Sequence, residues 1–162
     1  MPQTFSDNKK IYSVDMMFAY INIFKPKCRK VNIDQFSATL NYKGWGDPKK
    51  KIFYSANMVL NDPKKYKDEM KRIKNADLKY PIIVYKNYIV DGVHRLTKTI
   101  LSRKTTINAY IFDDKMMKLF LLDKNKDWDK IDKIQIYNYI ELFIKHFLEK
   151  RKYIHHHIQN LN

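Results

Sequence analysis

Apolar residues change their spacing along the chain, and each change predicts a new element. Residues 81–90 are almost all β-forming on both sides of Lys86 and Asn87, which predicts a β-hairpin with a two-residue turn and a left-handed Asn87. From His94 the apolar residues follow helical spacing, and residues 105–112 return to a strand pattern. The centre of the chain therefore predicts a strand pair, a helix and a further strand.

Helices are predicted on both sides of this centre. Ser13 is a suitable N-cap for a first helix, and Asp62 followed by Pro63 suits the start of another. A long helix is predicted from about Ile131, with a broad apolar stripe along one face. This stripe consists of Ile136, Ile140, Phe143, Ile144 and Phe147. Such a stripe most often packs on its own domain, and less often forms a dimer interface.

The stretch NYKGWGDPKKK, residues 41–51, has the strongest loop pattern in the chain because it holds two of the three glycines and a proline. Two interpretations of its tryptophan remain open. Trp45 anchors an ordinary surface loop, which is the more frequent outcome, or it lies over a ligand.

Mixed helical and strand patterns within 162 residues predict an α+β fold with one hydrophobic core. No apolar run approaches the roughly 18 to 20 residues of a membrane span, so no membrane partner is expected. The N-terminus lacks the pattern of a signal peptide, and Cys28 is the only cysteine. These features predict an intracellular protein of a reducing compartment, either the cytoplasm or a viral or host compartment.

The formal net charge is +15, a value typical of proteins that bind nucleic acid or another acidic partner. The basic residues are 27 lysines and 5 arginines, and arginine is the residue that binds phosphate bidentately. An AT-rich genome, such as that of a large DNA virus, favours lysine through codon usage alone. Non-specific nucleic-acid binding and codon bias therefore remain alternative explanations of the charge.

The most informative stretch is IVDGVHRL, residues 89–96, where a predicted strand meets a predicted helix. A glycine at such a junction permits close approach of a ligand, and the first helical N–H groups favour an anion. Arg95 and His94 can bind phosphate oxygens there, and Asp91 can hold a magnesium ion or orient His94. The simpler alternative is an ordinary turn at Asp91 and Gly92 followed by solvated side chains.

The sequence around this stretch supports the first alternative. Five segments follow one another between residues 62 and 112, namely DPKKYKDEMKRI, YPIIVY, YIVDGVHRL, TKTILSRKT and INAYIF. In their order and spacing they resemble the ParB and sulfiredoxin superfamily, in which a box of the form Gly-x-[His/Arg]-Arg ends the second strand. The resemblance implies a small mixed sheet flanked by helices in residues 55–122. Residues 1–54 would then be an N-terminal helical or lid region of the same domain, and 123–162 a C-terminal helix and tail.

Comparison with individual members of this superfamily shows which of their activities the chain is expected to share. Sulfiredoxins have a catalytic cysteine where this chain has Val93, so the chain is not expected to be a sulfiredoxin. Partition proteins carry a downstream motif and a DNA-reading domain that have no counterpart here. The box DGVHR is most similar to the Asp-Gly-His-His-Arg box of the free serine kinases and differs only at Val93.

The kinase resemblance implies a role for each residue of the box. Phosphates would be bound by Gly92, Val93, His94 and Arg95, and catalysis would involve Asp91 and His94. Weaker nucleotide contacts are implied for Tyr80, Pro81 and Lys98. The cofactor would be Mg²⁺, held weakly by Asp91, together with ATP, ADP or CTP. Those kinases also use an N-terminal glutamate as base, which an aspartate such as Asp15, Asp34 or Asp47 would have to replace here.

Three functions follow from these observations. The first is a nucleotide- or phosphate-binding protein, with a nucleotide or a phosphorylated small molecule as partner and with Mg-dependent phosphoryl transfer or hydrolysis of the kinase or NTPase type as its reaction. The second is a ParB-like nuclease or a non-specific DNA-binding protein. The third is a catalytically inactive scaffold that forms a homodimer through residues 131–153.

Overall fold

A computed structural model describes residues 3–7, 10–47 and 49–122, together with scattered positions between 133 and 148. The described residues form small sheets and six α-helices, so the predicted α+β class is confirmed at this level. In chain order the elements are β1 (Thr4–Asp7), β2 (Lys10–Ser13), α1 (Val14–Phe24), β3 (Arg29–Asn32), α2 (Ser37–Asn41), β4 (Trp45–Asp47), β5 (Ile52–Tyr54), α3 (Ala56–Asn61), α4 (Lys67–Asn75), β6 (Ile82–Tyr85), β7 (Tyr88–Asp91), α5 (Val93–Leu101), β8 (Thr106–Phe112), α6 (Asp114–Met117) and β9 (Leu121–Leu122).

The largest sheet has four strands in the order β3-β8-β6-β7. Strands β6 and β7 form the predicted antiparallel hairpin, and β8 returns parallel to β6. A parallel neighbour requires a crossover connection, which α5 provides. All four residues of β6 are buried, as expected of a central strand. This arrangement places the junction between the edge strand β7 and α5 next to the central strand β6.

The main core lies beneath α5. Leu96 of α5 is fully buried together with Ile82 and Val84 of β6, Ala109 of β8 and Phe36. Burying a leucine side chain stabilises a fold by about 2 kcal/mol. Because Leu96 follows directly after His94 and Arg95, this packing also holds the first turn of α5 in position.

The chain divides into two compact units. One consists of Lys27–Asp113 and contains the four-stranded sheet, the hairpin β4–β5 and helices α2 to α5. The other takes chain from both ends, Met1–Pro26 and Asp114–Asn162, and contains the three-stranded sheet β1-β2-β9 with α1. In this unit Ser13 caps α1 as predicted, because its hydroxyl accepts a hydrogen bond from the Met16 amide at 3.1 Å.

Three sequence predictions differ from the structure in detail. Lys86, and not Asn87, adopts the left-handed conformation in the β6–β7 turn, with φ of 54°. Helix α4 begins at Lys67, because Asp62 instead accepts a hydrogen bond from the Lys65 amide within a preceding turn. The stretch 41–51 is not simply a loop, since it carries β4 and leads into β5 of an antiparallel hairpin.

The long helix predicted from Ile131 falls mostly outside the described residues. At the positions described between 133 and 148 the backbone is helical. Four apolar side chains there are more than half exposed, namely Ile136, Ile140, Ile144 and Leu148. Among the described residues, no helix combines the length and the apolar composition that a membrane crossing requires.

Candidate functional site

The junction between β7 and α5 requires the glycine that the sequence places there. Gly92 adopts φ of 107°, a conformation that side chains rarely accept. A Cβ atom at this position would lie 2.6 Å from Ile82 Cγ2 and 2.9 Å from Arg95 Nη2. The strand can therefore turn directly into α5, whose first N–H groups have no partner within the helix.

Arg95 and Asp91 form an ion pair across this junction. Arg95 Nη2 donates to Asp91 Oδ2, and each side chain is 20% exposed. Arg95 Nε is buried and has no hydrogen-bond partner among the described residues. The guanidinium thus folds back over Gly92, and one of its donors is already used by Asp91.

His94, the neighbouring side chain, contacts a different carboxylate. Its Nε2 lies 2.7 Å from Oε1 of Glu69, which is in the first turn of α4. The Glu69 side chain is only 6% exposed, whereas that of His94 is 32% exposed. Asp91, which the sequence analysis considered as the group that orients His94, bonds Arg95 instead.

Trp45 holds the imidazole from another element. Its ring stacks on that of His94, with centroids 4.5 Å apart and an angle of 11° between the planes. Trp45 lies at the start of β4, so the hairpin β4–β5 reaches the first turn of α5. Trp45 therefore contacts a candidate site residue, His94, which neither interpretation of the sequence had named.

Glu69 is the centre of a larger hydrogen-bonded cluster. Tyr54 donates its hydroxyl to Glu69 Oε2 at 3.2 Å, and Arg72 Nη1 lies 3.4 Å from Oε1. Burial, reinforced by the negative charge of Glu69, raises the pKa of Tyr54 above its ordinary value of 10.0. Because three side chains converge on it, the Glu69 carboxylate is held in one orientation toward His94.

This geometry determines what His94 can do. An ionised carboxylate accepts hydrogen bonds only, so opposite an ionised Glu69 it is the Nε2 of His94 that carries the proton. The other ring nitrogen, Nδ1, has no hydrogen-bond partner in the described part of the chain. A histidine with one nitrogen fixed by a carboxylate and the other available is suited to accept or deliver a proton.

The remaining predicted site residues take up different positions. Val93 packs against the main core, and Lys98 donates from Nζ to the Ala76 carbonyl oxygen at 2.6 Å. Tyr80 is 56% exposed, with the Lys79 ammonium 5.1 Å above its ring. Pro81 is half-buried immediately before β6. None of these four makes a hydrogen bond or ring contact with His94 among the described residues.

Sequence reasoning missed the partners of His94. The kinase resemblance implies a glutamate N-terminal to the domain, and Glu69 lies within the predicted core of residues 55–122, so it was not predicted as a site residue. The one available signal is that Glu69 is the only glutamate before residue 141. Of the aspartates considered as substitutes, Asp15 accepts from the Gln3 amide at 2.9 Å, and Asp47 accepts from the Lys49 amide at 2.9 Å in the β4–β5 turn.

The donors for a metal ion are few. No group of three or more histidine, cysteine, aspartate or glutamate side chains that could hold a metal is found among the described residues. Asp91 can offer one carboxylate, and it already bonds Arg95. These residues do not form a complete magnesium site by themselves, because Mg²⁺ prefers six oxygen ligands.

Comparisons of the chain with protein-family models, with curated proteins and with solved structures give no match. The resemblance to the ParB and sulfiredoxin superfamily therefore stays a prediction from sequence motifs and their order.

Proposed function

We propose that this protein binds the phosphate of a nucleotide or of a phosphorylated small molecule at the first turn of α5, and that His94 transfers protons on the bound ligand. One observation carries the proposal. His94 lies beside the unpaired N–H groups of a helix start while Glu69 and Trp45 hold its ring. The proposed fold is that of the ParB and sulfiredoxin superfamily, with a long C-terminal helix.

Binding would rest mainly on the first-turn amides of α5 and on Arg95. The amides of Val93, His94 and Arg95 would point at the anion, and the helix dipole would favour its charge. Arg95 would add positive charge, reduced by its ion pair with Asp91. Tyr80, Pro81 and Lys98 remain weaker candidates for contacts with the rest of a nucleotide.

The proposed reaction is phosphoryl transfer or hydrolysis. His94 Nδ1 would take a proton from the attacking hydroxyl or water, and the positive charge formed on the ring would be stabilised by Glu69. Asp91 would lie near the transferred group. A magnesium ion would be held mainly by nucleotide phosphates and water, with Asp91 supplying at most one protein ligand.

Amide NMR tests the binding directly. Titration with inorganic phosphate, and then with ATP, ADP and CTP in the presence of Mg²⁺, should shift the Val93, His94 and Arg95 amide signals more than those elsewhere in the chain. His94→Asn and Arg95→Gln should weaken binding at least tenfold, whereas Arg103→Gln beyond the other end of α5 should not. Absence of shifts at residues 93–95 with all four ligands would rule out the proposal.

A ParB-like nuclease would use the same histidine on a different substrate. This alternative predicts metal-dependent cleavage of DNA, and His94→Asn should remove that cleavage. It also predicts that nucleotides do not bind. Hydrolysis or transfer from a nucleotide without DNA cleavage would favour the first proposal.

A second proposal concerns assembly. Ile136, Ile140, Ile144 and Leu148 recur every four residues and are each more than half exposed. Residues four apart lie on one face of a helix, so a second copy of the chain would bury this stripe. The proposed homodimer through residues 131–153 should dissociate in light scattering when Ile140 and Ile144 are both changed to glutamate. A protein that is already monomeric at high concentration would contradict it.

A further inference from the structure

The hairpin β4–β5 has two faces with different surroundings. Trp45 and its cross-strand partner Tyr54 contact the cluster around Glu69 and His94. Side chains alternate between the faces of a strand, so Phe53, the neighbour of Tyr54, points to the other face. Phe53 is 50% exposed, and its cross-strand partner is Gly46.

Glycines leave this outer face flat around exposed rings. Opposite Phe53, Gly46 approaches the Ile52 carbonyl so closely that no Cβ fits there. Gly44 precedes Gly46 by two residues and therefore faces the same side, and the Tyr42 ring lies against it, with Cε1 2.8 Å from where a Cβ would be. Tyr42 is 74% exposed, the highest fraction among the large apolar and aromatic side chains of the described chain.

Exposed lysines are close to these rings in the sequence. Lys43 follows Tyr42, and Lys49, Lys50 and Lys51 occupy the hairpin turn, all four of them exposed. Asp47 is the only acidic residue between Asp34 and Asp62, and its carboxylate is occupied by the Lys49 amide and the Lys50 ammonium. The outer face therefore combines two exposed aromatic rings with a local excess of positive charge.

We propose that this outer face binds single-stranded nucleic acid, with unpaired bases stacking on Phe53 and Tyr42 and phosphates contacting the lysines. Stacking on an exposed ring requires bases that are not already paired within a duplex, and the lysines match the charge of the backbone. Two rings offer too little apolar area for a membrane surface, where an amphipathic element buries a continuous apolar face. The inference goes beyond the proposed phosphate site, since it uses none of the residues that would bind there.

Fluorescence anisotropy with a labelled oligothymidylate tests the inference, with oligouridylate to distinguish DNA from RNA. Wild-type protein should bind single strands more tightly than a duplex of the same length. Phe53→Leu keeps the apolar character but removes the ring and should weaken binding about tenfold, whereas Phe53→Tyr should not. Tyr88→Leu serves as the matched control, because Tyr88 is 53% exposed on β7.

The charge is tested with two triple variants that remove equal charge. Changing Lys49, Lys50 and Lys51 to glutamine should weaken binding and lower the slope of log affinity against log salt by about 2. The same changes at the exposed Lys64, Lys71 and Lys74 should have less than half this effect. Equal losses in both triple variants would overturn the inference, because the net charge alone would then explain binding.

Three further results would also overturn it. These are equal affinity for duplex and single strand, no effect of Phe53→Leu, and stronger Phe53-dependent binding to anionic vesicles than to oligonucleotides. His94→Asn should bind single strands like the wild type. The two proposals can therefore be tested separately. His94→Asn should lose only phosphate binding, and the hairpin variants should lose only strand binding.

Discussion

Two acid–base pairs lie next to each other in this protein, and they differ in how they are built. Asp91 and Arg95 are four residues apart at one strand–helix junction, and both are 20% exposed. Glu69 and His94 are 25 residues apart on two helices, and the carboxylate is nearly buried while the imidazole reaches the surface. We infer that the first pair mainly holds the junction together and that the second fixes the orientation of His94, as the proposed function requires.

The largest expected effect tests the structural role of Asp91 and Arg95. Arg95→Leu should lower the free energy of unfolding by about 3 kcal/mol, since it leaves the Asp91 carboxylate largely buried without its partner. Chemical denaturation measures this value. The double variant Asp91→Asn with Arg95→Leu should regain more than half of the loss, because it removes the unpaired charge. No recovery in the double variant would mean that the two side chains act independently.

Gly92 serves both pairs, because it lets Arg95 fold back while α5 presents His94. Gly92→Ala should cost about 2 kcal/mol of stability, owing to its positive φ and the contact with Ile82. Gly44→Ala is the matched control, since a Cβ there meets only the movable Tyr42 ring. A similar loss in both variants, measured by denaturation, would show that the backbone at Gly92 is not specially constrained.

Glu69→Gln tests the chemical role of the second pair. The expected loss of stability is only about 1 kcal/mol, because a neutral hydrogen bond replaces a charged one and Arg72 is exposed to water. The His94 ring should nevertheless populate both tautomers, since the amide can either accept from or donate to Nε2. Imidazole ¹⁵N NMR measures their populations. A stability loss larger than that of Arg95→Leu would reverse the roles assigned to the two pairs.

The smallest effect is a pH dependence from Tyr54. Because its folded-state pKa is raised, the folded protein holds this proton more tightly than the unfolded chain. The resulting stabilisation is complete below pH 10.0, the ordinary pKa, and is lost as the pH rises through the folded pKa. The stability of the wild type relative to Tyr54→Phe should therefore fall in this alkaline range.

Repeating the comparison in the Glu69→Gln background should give a smaller fall, because the charge of Glu69 is then absent. An unchanged fall, measured by denaturation at several pH values, would show that burial alone raises the pKa of Tyr54.

Local patterns explain why much of the fold was predictable. The hairpin β6–β7, the helix after Gly92 and strand β8 all follow from the spacing of apolar residues close together in the chain. Predictions from local patterns were wrong where the same residues allow two backbone conformations. In the β6–β7 turn the left-handed residue is Lys86 and not Asn87, and in residues 41–51 loop-forming residues are compatible with a tight hairpin.

By itself, the sequence determined the α+β class, the central elements and a junction at Asp91 to Arg95 with glycine at its turn. These depend on interactions between residues near one another in the chain. Only the tertiary structure decided which partners those residues have, because Glu69 and Trp45 reach His94 from α4 and β4 through packing that no local pattern records. Within the junction Arg95 pairs with Asp91, and His94, 32% exposed, is more accessible than either of these two side chains, which are each 20% exposed.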